Sequence, residues 1–93
     1  MQNKTEKLKI ADKYEILDML GYGSHGKVFN AIDKLNDREV VVKTMENAPK
    51  HKSKFLREIA VFRATASTKA GFPKLMHYEV TKDSYVLVME KLG

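Results

Sequence analysis

Cysteine is absent from the chain, which excludes disulfide bridges and cysteine-ligated zinc alike. Long apolar runs are absent too, so no segment has the length of a membrane-spanning helix. The opening stretch "MQNKTEKLKIADK" lacks the apolar segment of a secretory signal. A cytoplasmic or nuclear location, with no membrane partner, is the expectation. Acidic residues are outnumbered: 17 Lys and Arg stand against 12 Asp and Glu, a net charge of +5. The surplus gathers at Lys4, Lys7, Lys9 and Lys13, and again in "KHKSKFLR". Such clusters suit anionic partners or are simply solvated faces. No aromatic residues interleave with the lysines of "KHKSK", which counts against nucleic acid.

What is present fits one small domain of 93 residues with 43% hydrophobic content. A chain of this size buries about 60–65% of its unfolded surface, a modest core. Residues 1–13 read as a polar tail. "YEILDML" (14–20) alternates Tyr14, Ile16, Asp18 and Leu20 against Glu15, Leu17 and Met19, as a strand does. "KVFNAID" (27–33) sets Val28, Asn30 and Ile32 on one face and Phe29 and Ala31 on the other. "KLND" is a turn, and "REVVVKTM" (38–45) is a β-branched run typical of a strand buried on both faces. Short connections make these three an antiparallel meander. "ENAPKHK" reads as a loop. Ser53 is then placed to cap a helix in which Phe55, Ile59 and Phe62, with Leu56 alongside, recur at helical spacing. That helix should fade between Thr65 and Thr68, before Gly71 and Pro73. "KLMHYEV" (74–80) and "YVLVME" (85–90) follow as strands around the turn "TKDS". The order is β-β-β-α-β-β, an α+β fold with a five-stranded antiparallel sheet and one main helix.

Three of the five glycines fall within six residues, at Gly21, Gly23 and Gly26. This G-x-G-x-x-G pattern serves two unrelated folds. In a dinucleotide-binding fold it opens a helix, and an acidic residue follows about 20 positions later. Here a strand follows, and the residue twenty-two places beyond Gly21 is Lys43. The pattern therefore suits a hairpin tip, either an ordinary one or one that folds over phosphates and donates backbone N–H groups. Lys43 ends the apolar run "VVV", either as a solvated strand end or as a partly buried cation that needs an anion. Glu58, three residues after Phe55 and next to Ile59, is either a surface carboxylate or that anion.

"GYGSHGKV", "VVVK" and "REI" resemble the N-terminal lobe of eukaryotic protein kinases. The corresponding kinase patterns are G-x-G-x-x-G-x-V, V-A-I-K and a helix glutamate. Motif order and spacing agree over residues 14–93. "GFPKLMHYEV" followed by "YVLVMEKLG" is similar to the matching stretch of casein kinase I and its relatives, with Lys91 in place of a leucine. The resemblance implies a serine/threonine kinase that moves a phosphoryl group from ATP to protein hydroxyls. It implies that Gly21, Gly23 and Gly26 cover the ATP phosphates, with Leu20 and Ser24 in the same nucleotide-binding loop. Lys43 would contact the α- and β-phosphates and pair with Glu58. Val28 and Val41 would roof the adenine, and Met89 would be the gatekeeper. Glu90 and Leu92 would offer backbone C=O and N–H to the adenine edge, and Phe62 would join the hydrophobic spine. Val41 stands where V-A-I-K has alanine, and its extra methyls narrow the adenine slot.

Neither H-R-D-x-x-x-x-N nor D-F-G occurs in the sequence. These motifs position the attacking hydroxyl and hold magnesium in kinases. The expectation is an ATP-binding lobe truncated at the hinge, inactive alone, that binds Mg2+ only with a second, C-terminal lobe. No metal site is expected within it. A protein partner covering the lower face is a further expectation. The alternative is a non-catalytic kinase-like binding or regulatory module.

Overall fold

The computed structural model describes residues 13–23, 26–65 and 73–91. Residues 1–12, together with Ser24, His25, Thr68, Gly71, Leu92 and Gly93, lie outside the described residues. The elements are β1 (Tyr14–Gly23), β2 (Gly26–Asp33), β3 (Arg38–Glu46), α1 (Pro49–Thr65), β4 (Leu75–Val80) and β5 (Ser84–Glu90). The five strands form one antiparallel sheet in the order β1-β2-β3-β5-β4. This is the α+β fold with β-β-β-α-β-β order that the sequence patterns imply.

β3 lies at the centre of the sheet, and its alternation divides the core in two. Val40 and Val42 point to one face, where they are buried with Tyr14, Ala31, Val86 and Val88. Met45 points to the other face and packs with Phe55, Ile59, Tyr85 and Leu87. β5 alternates in step, Val86 and Val88 joining the first cluster and Tyr85 and Leu87 the second. Among the described residues no helix lies over the first face. The sheet curls across this face: Tyr14 of edge strand β1 meets His77 of the opposite edge strand β4, ring centroids 6.4 Å apart. The second face is covered by α1, whose Phe55 stacks on Tyr85 at 4.5 Å and meets Tyr78 edge-on at 6.3 Å.

Three sequence expectations are corrected. The helix starts at Pro49, so "ENAPKHK" is only partly a loop and Ser53 is a helix-interior residue, not the cap. Proline suits the first helical position because its missing N–H would have no partner there. The approach is set instead by Asn47, whose N–H donates to Asp83 O (3.0 Å) and whose Nδ2 donates to Thr81 O (2.7 Å). These bonds tie the start of the helix to the β4–β5 turn. His51, in the first helical turn, is buried with its Nδ1 2.9 Å from Glu46 O. Leu56 is 53% exposed, because the buried stripe runs through His51, Phe55 and Ile59.

The third correction concerns β1. Its register against β2 shifts between Ile16 and Asp18 and again between Met19 and Gly21. Each shift inserts a residue and reverses the phase of the faces. Tyr14 and Ile16 therefore stay with the first core, while Asp18 pairs with Asn30 and Gly21 pairs with Val28 on the helix side. Strict alternation would have kept Asp18 with Tyr14. Leu17 and Leu20 fall between paired positions and are half exposed.

The β2–β3 turn is organised by Asp33, which is fully buried. Its carboxylate accepts from Leu35 N (3.0 Å), Asn36 N (3.3 Å) and Asn36 Nδ2 (2.9 Å). The Asn36 side-chain hydrogen bond leads in holding this carboxyl below its ordinary range, against the effect of burial.

Truncating Phe55 to alanine should cost about 3–5 kcal/mol, a large part of the roughly 5–15 kcal/mol that holds a domain folded. Leu56→Ala should cost less than about 1 kcal/mol. Urea denaturation of both variants measures the difference, and equal costs would overturn this helix phase.

Candidate functional site

The site lies on the helix-side face and is built by register. Val28, Lys43 and Leu87 are neighbours across β2, β3 and β5, with Gly21 beside Val28 on β1. One step along, Asp18, Asn30, Val41, Met89 and Leu75 form a parallel row across all five strands. The result is a half-buried apolar strip, Val28, Val41 and Met89, with one ammonium at its edge.

That ammonium meets a carboxylate from the helix. Glu58 lies between the buried positions Phe55 and Ile59, so the packing that seats them carries its carboxylate toward β3. Lys43 Nζ stands 3.0 Å from Glu58 Oε2 and 3.3 Å from Oε1. Both side chains are about one-fifth exposed. Lys54, one helical turn earlier, places its Nζ 3.0 Å from the same Oε2. Burial alone would push the Glu58 carboxyl up. Hydrogen bonds and charge from Lys43 and Lys54 outweigh it and hold the group below the ordinary glutamate range.

Below this pair a cleft of about 330 Å³ is lined by Lys43, Arg57, Glu58, Val61, Phe62 and Met89. A larger hollow of about 410 Å³ opens between the helix end and β4, lined by residues including Phe62, Leu75 and Tyr78. The half-buried ion pair, not size, distinguishes this cleft from the larger hollow.

The glycines differ from one another. Gly26 has φ +120°, and a β-carbon there would run into the Thr44 carbonyl. The fold itself requires glycine at that position. Gly21 and Gly23 have nothing within 4 Å of a would-be β-carbon among the described residues.

At the far end of the strip, β5 closes on Glu90. Its N–H donates to Lys74 O (2.9 Å), and its carboxylate accepts from Lys74 N (3.0 Å) and Arg38 Nη2 (3.2 Å). Lys91 reaches back over the sheet, donating to Asn30 Oδ1 (2.9 Å) and standing 3.5 Å from Glu39. Asn30 Nδ2 in turn donates to Asp18 Oδ1 (3.3 Å).

The structure thus brings Gly21, Val28, Val41, Lys43, Glu58 and Met89 to one face. Leu20 sits at a bulge beside them, and Gly23 and Gly26 lie further toward the hairpin tip. Two features went unread in the sequence. Lys54 was legible in principle, since it lies four residues before Glu58 on one helix. The Asp18–Asn30–Lys91 chain was not, since Asn30 and Lys91 are 61 residues apart. Chemically, the face offers an apolar wall for a flat ring and a held cation for an anionic tail.

The protein tyrosine and serine/threonine kinase family matches over residues 14–93, and the chain belongs to that family. The match covers every described strand and the helix.

Two expectations follow. Gly26→Ala should lose about 1–3 kcal/mol through backbone strain, while Gly21→Ala should change stability by no more than about 0.5 kcal/mol. Thermal or urea melts of the two variants check this, and equal losses would contradict it. The second concerns pH. Because the folded carboxyl of Glu58 is held below its unfolded value, its contribution is complete above the unfolded pKa of about 4.3. It is lost as pH falls through the lower folded value. Unfolding free energy should therefore drop between about pH 5 and pH 3 more steeply in the native protein than in Glu58→Gln. Parallel curves would mean that Glu58 is not held as an ion pair.

Proposed function

We propose that residues 14–93 form the ATP-binding lobe of a serine/threonine protein kinase, of the casein kinase I type. The observation that carries this reading is the Lys43–Glu58 pair at the edge of the strip Val28–Val41–Met89. ATP has the matching chemistry, a flat apolar-faced ring and a polyanionic tail, and it would supply the phosphoryl group passed to a protein hydroxyl. In this reading Val28 and Val41 cover one side of the adenine, and Met89 bounds the back of the slot. The Glu90 C=O and the Leu92 N–H meet the ring edge. Glu58 holds the Lys43 ammonium still, so that it meets the phosphates without first being ordered. The open space at Gly21 and Gly23 supports the same reading, since nothing among the described residues accounts for glycine there. Leu20 and Ser24 belong to that loop.

Positioning of the acceptor hydroxyl and binding of Mg2+ fall to residues outside 14–93, in a C-terminal lobe with the H-R-D and D-F-G motifs. The protein substrate would be held by both lobes. The casein kinase I assignment rests on "GFPKLMHYEV" and "YVLVMEKLG", and Lys91 departs from that pattern.

A second reading, a kinase-like lobe that binds a partner protein without catalysis, is favoured by one observation. Val61 is 56% exposed at the rim of the cleft beside Phe62 and Met89, an apolar surface open to a partner.

Titration of the 93-residue chain with ATP by calorimetry separates the two. One wall of the slot comes from this lobe, so contact worth about 3 kcal/mol at roughly 25 cal/mol per Å² is lacking, a more than hundredfold weakening. The expected dissociation constant is about 100 μM or weaker, rising a further tenfold or more in Lys43→Met. Binding that ignores the Lys43→Met change would overturn the ATP reading.

A further inference from the structure

One carboxylate in this site serves two lysines. Glu58 Oε2 lies 3.0 Å from Lys43 Nζ and 3.0 Å from Lys54 Nζ. The two ammonium groups therefore stand within about 6 Å of each other, held together against their repulsion by the anion between them. Lys54 comes from the same helix as Glu58, four residues earlier, whereas Lys43 comes from the sheet. The Lys54 contact is thus local to α1 and needs no contact with the sheet. The Lys43 contact requires the helix to be seated. Arg57 lines the cleft beside Glu58, so among the described residues the charged neighbours of this carboxylate in the cleft are cations.

We propose that Lys54 is a positioning residue for the nucleotide site, acting through Glu58. It holds the Glu58 carboxylate in the conformer that faces β3 and takes up part of its charge. Lys43 is then oriented by Glu58 without being fully neutralised by it, and the group of three keeps a net positive charge for an incoming polyphosphate. Without Lys54, Glu58 pairs with Lys43 alone, and that pair carries no net charge. This proposal rests on the reading of Lys43 as the lysine that meets the nucleotide phosphates. It assigns to Lys54 a role that the kinase motifs do not include.

The test compares the native chain with Lys54→Met, Lys54→Arg, Lys52→Met and Lys43→Met. Lys52 lies six residues before Glu58, on another side of the helix, and controls for loss of one positive charge. Two quantities are read: the pH titration of the Glu58 side-chain carboxyl by carbon NMR, and the affinity for ATP. Lys54→Met should move the Glu58 titration upward and weaken ATP binding about two- to fivefold. Lys54→Arg should restore both, and Lys52→Met should leave the Glu58 titration in place. A purely structural role for Lys54 would lower the melting temperature without this pattern. An unmoved Glu58 titration in Lys54→Met overturns the proposal. So does native ATP affinity in Lys54→Met when Lys43→Met has lost it, and there the ATP reading itself stands. Failure of the native chain and Lys43→Met alike to bind ATP, with the Glu58 titration still shifted by Lys54→Met, overturns the ATP reading and this proposal with it.

Discussion

A lysine set into an apolar central strand has to meet an anion, and the architecture around Lys43 follows from that constraint. Its strand neighbours Val42 and Val40 are fully buried on the opposite face. Lys43 cannot join them without leaving a desolvated charge, which would cost several kcal/mol. It faces the helix side, where Glu58 receives it. Because side chains alternate along β3, this one choice also settles where Val41 and Met45 point. The apolar strip and the helix-facing core are consequences of the same parity.

The ion pair does not hold the helix in place. Phe55 and Ile59 do, through burial against Met45, Tyr85 and Leu87. Burying apolar side chains contributes about 1.5–3 kcal/mol each, whereas partly exposed ion pairs contribute about 1 kcal/mol or less. Packing sets the helix phase, and the phase delivers Glu58 to Lys43. The pair thus reports whether the helix is seated while adding little to its seating. A contact that is cheap to break yet sensitive to position suits a functional site better than a structural one.

Most of the architecture was legible because the strands are short and the connections tight, leaving few topologies open. The helix face was legible from Phe55, Ile59 and Phe62. The start of the helix was not, because Pro49 and the Asn47 bonds to the β4–β5 turn replace any local capping signal at Ser53. The faces of β1 were not legible either. Period-two reading assumes that every residue has a partner, and two register shifts break that assumption between Ile16 and Gly21. Of the candidate site, Gly21, Gly23, Gly26, Lys43 and Glu58 could be marked from pattern and spacing. Lys54 could have been marked from its helical spacing to Glu58.

By itself the sequence determined the order of elements, the apolar faces of β2, β3 and α1, and the residue types available for an anion. Those properties are local: they depend on period, on β-branching and on neighbours within a few positions. Tertiary structure decided which residues meet. The register of β3 against β5 set Val41 beside Met89, and the curl of the sheet brought Tyr14 to His77. The bulges moved Asp18 to Asn30, and Lys91, just past β5, returned to the same asparagine. These contacts join positions many residues apart, and only three-dimensional packing, with its closure of distant segments onto a shared core, could choose among them.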